Sequence, residues 1–134
     1  MNDRIENTIL NSLFFNEDFV RKAIPFIKPH YFSKRDERLL FIEVDKFVQK
    51  YNNLPTKETI LIELNNRKDL VNSVTKEDTD LQWLLDTTEK FCKDRAVHNA
   101  VLDGIKILDG KDKTRTPEAL PSLLGEALAV SFDK

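Results

Sequence analysis

A long stretch without helix-breaking residues constrains the fold of this chain most strongly. Between Leu81 and Leu108 there is no proline, and the first glycine is Gly104. Within the stretch, certain residues recur at alternating steps of three and four, which is the spacing of one face of a helix. These residues are Leu81, Leu84, Thr88, Phe91, Arg95, His98, Leu102 and Ile105. The spacing predicts one long helix whose seam runs for roughly 36 Å, at about 1.5 Å per residue.

A second, shorter helix is predicted to follow the long one. The residues Gly110-Lys111-Asp112-Lys113 are typical of a turn, and the chain then becomes apolar again. The apolar residues of this last segment are Leu120, Leu123, Leu124, Ala127, Leu128 and Val130. Because the connection is short, the second helix is expected to run back along the first. Residues 76–134 are therefore predicted to form a helical hairpin.

The first part of the chain instead shows several short amphipathic segments, whose apolar residues recur at helical spacing. These segments lie near residues 5–14, 19–27, 40–51, 60–64 and 70–71. Asn16, Ser33 and Thr56 precede such segments and are interpreted as helix caps. No segment alternates strictly between apolar and polar residues, which argues against a sheet. The predicted fold is all-α, with a small helical bundle over residues 1–75 followed by a long-helix/short-helix hairpin over residues 76–134.

The scarcity of glycine excludes the common nucleotide-binding loops. The chain has 3 glycines, Gly104, Gly110 and Gly125, and they stand far apart. A phosphate-binding loop and a dinucleotide fingerprint both need closely spaced glycines in a fixed pattern. The single cysteine, Cys92, cannot form an internal disulfide, and with two histidines it makes too small a set for a zinc site. We therefore predict no catalytic, cofactor-binding or metal-binding residues in this chain.

Two pairs of neighbouring acidic residues are interpreted as solvated charges. Glu17-Asp18 and Asp36-Glu37 both fall in the first turns of predicted helices. A negative charge interacts favourably with the helix dipole at that position. Their place in the sequence thus explains them without an acid–base role in catalysis.

The charge balance argues against independent binding to nucleic acid. The net charge is −2, with 12 basic against 11 acidic residues in 1–75 and 9 against 12 in 76–134. Binding to a phosphate backbone normally needs a clear positive excess. No run of about 18 apolar residues is present, so the sequence predicts no membrane-spanning helix and no membrane partner. A single cysteine is compatible with a reducing cytoplasm.

The predicted long helix carries more apolar surface than one short helix can cover. Its apolar residues are Trp83, Leu84, Leu85, Phe91, Val97, Val101, Leu102, Ile105, Ile107 and Leu108. The excess surface must meet residues 1–75, a second copy of the chain or a different protein. The pattern favours self-association through the hairpin, and the other two explanations stay open.

Several segments, taken in order, resemble those of one protein family. They are residues 5–13, 30–32, 38–41, 54–56, 60–64, 89–100 and 126–132. Together they resemble the N-terminal domain of DnaB-type replicative helicases, most of all those of tailed, myovirus-like bacteriophages. Glu6, Ile9, Leu10 and Leu13 are similar to that family's opening pattern E-x-x-[VI]-L-G-x-L, and residues 89–100 are similar to its long-helix segment around R-x-R-A. The chain departs from the family at Asn11, where the pattern has glycine, and in residues 67–80, which look shorter than the bacterial segment.

The resemblance implies a helical bundle followed by a hairpin, and it also implies a role. In this family the N-terminal domains form a collar, as dimers or a trimer of dimers, stacked on a ring of six ATPase domains. The ring encircles one DNA strand and unwinds the fork with 5′→3′ polarity, while the collar takes part in docking primase and, in some systems, the loader. This fragment would then be no enzyme by itself. ATP, Mg²⁺ and contact with DNA would belong to the full ring of an ATP-dependent DNA helicase, in the cytoplasm of a phage-infected bacterium.

The resemblance also implies which residues line the hairpin packing or the subunit contact. They are Phe91, Arg95, His98, Leu102, Ile105, Leu120, Leu124 and Leu128. Two other functions stay open at this point. One is the helicase-interaction domain of a primase, which has a similar shape in bacteria, and the other is a freestanding phage replication adaptor or loader.

Overall fold

A computed structural model describes residues 3–76 and 78–132, and these residues form seven α-helices and no β-strand. The helices are α1 (Asp3–Phe15), α2 (Glu17–Ala23), α3 (Arg35–Tyr51), α4 (Lys57–Glu63), α5 (Lys68–Val71), α6 (Leu81–Leu108) and α7 (Leu120–Leu128). Three short 3-10 turns, Ile24–Phe26, Pro29–Tyr31 and Pro117–Ala119, lie between them. The prediction of an all-α fold with a helical bundle and a long-helix/short-helix hairpin is confirmed.

Side-chain caps begin three of the helices. The Asn16 carboxamide accepts a hydrogen bond from the Phe19 amide at 3.1 Å, and the Thr56 hydroxyl accepts one from the Thr59 amide at 3.2 Å. The Asp80 carboxylate accepts from the Trp83 amide at 2.9 Å and starts α6. Such caps satisfy amides that have no partner within the helix.

The predicted cap at Ser33 is wrong. Helix α3 begins at Arg35, and the preceding residue, Lys34, makes no side-chain capping bond. The Ser33 hydroxyl and amide instead donate to the carboxylate of Glu6, which lies on α1. Ser33 therefore donates to a distant carboxylate and does not accept from an amide of α3, as a cap would.

Aromatic residues from both halves of the chain fill the core. The rings of Phe32 and Phe41 lie 5.5 Å apart, and the Phe91 ring on α6 lies 5.9 Å from Phe32. Burial of one such side chain contributes about 1.5–3 kcal/mol. Leu84 and Cys92, also on α6, belong to the same buried cluster, so the first half of α6 packs as part of the bundle.

The predicted division into residues 1–75 and 76–134 stays a prediction. Residues 1–2, 77 and 133–134 lie outside the described residues. Within the described residues, the first half of α6 shares the core of the bundle, whereas its second half packs against α7.

The end of the described chain returns from the hairpin to the bundle. After α7, the Phe132 ring stacks on Phe26 with 5.2 Å between the ring centroids. The Glu89 carboxylate on α6 accepts hydrogen bonds from the Ser131 hydroxyl at 3.1 Å and the Phe132 amide at 3.0 Å. These contacts anchor the hairpin at its base. Although α6 has 28 residues, no helix among the described residues combines the length and apolar character needed to cross a membrane.

Candidate functional site

Helix α6 buries different faces in its two halves. The buried residues of the first half are Leu84, Thr88, Phe91 and Cys92, and those of the second half are Ala100, Gly104 and Ile107. At about 100° per residue, the centres of these two sets lie roughly 140° apart around the helix. The first set faces the bundle, and the second set faces α7. The side of α6 that is buried in the bundle over the first half of the helix is therefore exposed to solvent over the second half.

The residues predicted from the α6 seam therefore fall in different environments. Phe91 is buried in the core against Phe32. Arg95 is half-buried at the edge of the bundle, and His98 is exposed. Leu102 and Ile105 lie on the second half of α6 and are 46% and 50% exposed.

The three predicted residues of α7 divide in the same way. Leu120 is half-buried, and its Cδ2 atom would lie 3.0 Å from a methyl group added at Gly104. Leu124 and Leu128 are exposed. The structure thus brings Leu120 to α6 and leaves Leu124 and Leu128 on the surface, and their role in a subunit contact stays a prediction.

Small residues, together with Ile107, form the face of α6 that packs against α7. Ala100 and Gly104 lie four residues apart on this face and are buried. Small side chains at this spacing let two helix backbones approach closely, and Gly104 meets Leu120 on this face. The spacing of small residues was the sequence signal for this contact.

The exposed apolar residues of the two hairpin helices lie on one side of the hairpin. For antiparallel right-handed helices, the wheel positions place Val101, Ile105 and Leu108 of α6 on the same side as Leu124 and Leu128 of α7. We call these five residues the outer hairpin face. They contain no charged group, and they point away from the side of α6 that enters the bundle. A surface of this kind can bind another apolar surface.

Two hydrogen bonds hold the middle of α6 to the bundle. The Arg95 Nε donates to the carbonyl oxygen of Tyr31 at 2.9 Å, and the Asn99 Nδ2 donates to the carbonyl oxygen of His30 at 3.1 Å. Both carbonyls belong to the Pro29–Tyr31 turn and would otherwise need other donors. Arg95 is thus a positioning residue that sets the direction in which the hairpin leaves the bundle.

One of the acidic residues interpreted as solvated is in fact buried. Asp36 is exposed as predicted, but Glu37 on α3 is only 6% exposed and lies beside the buried Glu6 of α1. Burial, together with the hydrogen bond and charge of Glu6, raises the pKa of Glu37 to about 7. The interpretation of Glu37 as a solvated dipole partner is therefore wrong, because tertiary packing covers the first turn of α3.

The remaining chemistry of the described residues is that of packing. Burial raises the pKa of the Cys92 thiol to about 12, so the thiol stays protonated and behaves as a small apolar side chain. No group of three or more histidine, cysteine or acidic residues is arranged to hold a metal ion in residues 3–76 and 78–132.

Comparison with known proteins places the chain beside a replicative helicase. No protein-family model matches the chain. The chain is similar to the DnaB-like replicative helicase of Enterobacteria phage T4, with 26% identity over 143 aligned positions that cover 93% of this chain. The chain spans 30% of the length of that relative. The match confirms the resemblance to the DnaB-type helicases of bacteriophages, is consistent with a DnaB-type N-terminal domain, and supports a role related to the DNA replication helicase.

Proposed function

We propose that this chain is the N-terminal collar domain of a hexameric replicative DNA helicase, in which it joins subunits and docks partner proteins. In this proposal the collar subunits pair through the hairpin, and the collar binds primase and, in some systems, a helicase loader. Nucleotide hydrolysis, with ATP and Mg²⁺, and unwinding with 5′→3′ polarity belong to a C-terminal domain beyond these residues. The similarity to a phage replicative helicase supports this assignment.

The observation that carries the proposal is the outer hairpin face. Full burial of a valine, leucine or isoleucine contributes about 1.5–3 kcal/mol, so five half-exposed residues offer roughly 5 kcal/mol in each copy. Association itself costs an estimated ~4–15 kcal/mol, so one such face against a polar surface reaches only the lower end of that cost. A two-fold pairing buries the same face of both copies and raises the gain to about 10 kcal/mol. A second copy is therefore the best-matched partner.

Replacing Ile105 with aspartate tests the pairing. Ile105 lies on the outer hairpin face and is half exposed, so the change should leave the monomer folded. An unpaired carboxylate buried in the contact costs at least about 3 kcal/mol, which weakens association more than ~100-fold. We expect light scattering to show a multimeric wild type and a smaller mass for Ile105→Asp, with unchanged helical circular dichroism.

The matched control is Ile62→Asp on α4. Ile62 is 62% exposed but lies outside the hairpin, so this variant should keep the wild-type mass. A wild type that stays at 15.6 kDa at high concentration would contradict the proposed pairing. So would an equal loss of mass in both variants, because that result would show a general effect of the added charge.

The coding sequence that follows Lys134 provides an independent test of the helicase assignment. A collar domain should be followed by a motor domain that carries G-x-x-x-x-G-K-[ST], the pattern of a phosphate-binding loop. A stop codon close to Lys134 would favour the adaptor or loader instead, and a zinc-binding and polymerase region upstream would favour the primase domain.

A further inference from the structure

Two buried carboxyl groups join the beginnings of α1 and α3. Glu6 on α1 is 3% exposed, and Glu37 on α3 is 6% exposed. Burial, a side-chain hydrogen bond with Glu6 and the charge of Glu6 all raise the pKa of the Glu37 carboxyl. Glu6 also accepts from the Ser33 amide at 2.9 Å and from the Ser33 hydroxyl at 3.1 Å. The carboxyl pair, Glu6 and Glu37, therefore links α1, α3 and the turn that leads into α3.

The surroundings of Glu37 favour its protonated form. Two carboxylates this close cannot both ionise at low cost in a buried site, so one of them holds a proton. The Ser33 amide and hydroxyl both donate to Glu6, so the Glu6 oxygens act as acceptors. Glu37 Oε1 is buried and has no hydrogen-bond partner within the described part of the chain. A buried oxygen without a hydrogen bond costs far less free energy in a neutral carboxylic acid than in a charged carboxylate. Glu37 is therefore the protonated member of the pair.

The nearby positive charges offset little of the free-energy cost of ionising Glu37. Lys34 favours the ionised form of Glu37, but its effect is smaller than those of burial and Glu6. The Arg38 guanidinium donates to the carbonyl oxygens of Phe32 and Ser33. On the side of α5, Arg67 pairs with Asp69 at 2.9 Å and with Asp36 at 3.8 Å. Arg4, on α1, is exposed to solvent.

We propose that the carboxyl pair is a pH-dependent fastening between α1 and α3, closed while the two groups share one proton and weakened when that proton is lost. The proton lies between Glu37 and Glu6 when the fastening is closed. Its loss leaves two negative charges in one buried site, and their repulsion separates the start of α3 from α1. The fastening is thus a conformational device of the bundle, separate from the outer hairpin face.

The direction of the pH dependence follows from the raised pKa. In the unfolded chain the pKa of Glu37 is near its ordinary value of 4.5, and in the folded chain it is about 7. A group that holds its proton more tightly when folded stabilises the fold fully below pH 4.5, and this contribution is lost as the pH rises through about 7. Opening of the fastening should therefore increase roughly tenfold per pH unit between these values and level off above them.

Hydrogen exchange at the Ser33 amide measures this opening directly, because that amide donates to Glu6. After correction for the intrinsic pH dependence of exchange, we expect the protection of this amide to fall roughly 100-fold between about pH 5 and pH 7. Glu37→Gln keeps a donor toward Glu6 but cannot ionise, so its protection should not change over this interval. Asp36→Asn, an exposed neighbour in the same turn, should keep the wild-type profile.

A wild-type profile without this fall, or a Glu37→Gln variant that retains it, would overturn the proposal. A second measurement needs no variant: the side-chain carboxyl ¹³C shift of Glu37 in the wild-type chain. We expect its titration midpoint at about 7, and a midpoint near 4.5 would overturn the proposal as well.

Discussion

Replacing Gly104 with alanine tests the close approach of α6 and α7. An added Cβ at Gly104 would lie 3.0 Å from Leu120 Cδ2, which is closer than ordinary van der Waals contact. Gly125, on α7, is a matched control because an added Cβ there meets no atom within 4 Å. Both glycines lie inside helices at φ values open to alanine, so the two substitutions differ mainly in this one contact.

The expected magnitudes follow from two opposing effects. Alanine favours a helix over glycine by about 0.5–1 kcal/mol, so Gly125→Ala should raise the free energy of unfolding by that amount. At Gly104 the same gain is opposed by crowding of Leu120, and overpacking of this kind typically costs ~1–3 kcal/mol. Leu120 is half-buried and can partly turn aside, so the lower part of that range applies. Gly104→Ala should thus be less stable than Gly125→Ala by about 1–2 kcal/mol.

Urea denaturation followed by circular dichroism measures this difference. Each variant should be unfolded at two protein concentrations, because an unchanged midpoint shows that self-association does not contribute. Equal slopes of free energy against urea then allow the midpoints to be compared directly. If Gly104→Ala stabilises the chain as much as Gly125→Ala does, Leu120 does not pack on Gly104, and the face of α6 assigned to α7 is wrong.

Two further contacts of α6 yield predictions of the same kind. Glu89→Ala removes the acceptor of the Phe132 amide, so we expect faster hydrogen exchange at Phe132 and about 1 kcal/mol less stability by urea denaturation. Arg95→Met keeps the aliphatic stem but leaves the Tyr31 carbonyl without this donor, and it should cost about 1–2 kcal/mol in the same assay. Unchanged exchange or stability in either variant would show that the contact does not anchor the hairpin.

The positions of the helices could be predicted from the sequence because they depend on local features. Apolar spacing and the lack of proline placed the long helix at residues 81–108, and α6 spans Leu81–Leu108. Asn16 and Thr56 cap the helices that follow them, since a cap acts on amides two or three residues away. The short helix α5 also lies where residues 70–71 suggested one turn.

Features that depend on residues distant in sequence could not be predicted in this way. Ser33 has the local pattern of a cap, yet its donors bind Glu6, which is 27 residues away. Glu37 has the local pattern of a solvated acid, yet α1 covers it and places a second carboxyl beside it. In both cases a partner from another helix decides the outcome, and no local spacing contains that information.

The seam of α6 shows that one regular sequence pattern can cover residues in two different environments. Its spacing of three and four is unbroken, which predicts one face with one partner. In the structure Leu84, Thr88 and Phe91 are buried in the bundle, whereas Leu102 and Ile105 are half exposed. The reason is that α7 packs against a different face of α6. The first part of the seam therefore contributes to the folding free energy of the single chain. The second part is half exposed, and its Ile105 belongs to the outer hairpin face, so one continuous spacing covers two different environments.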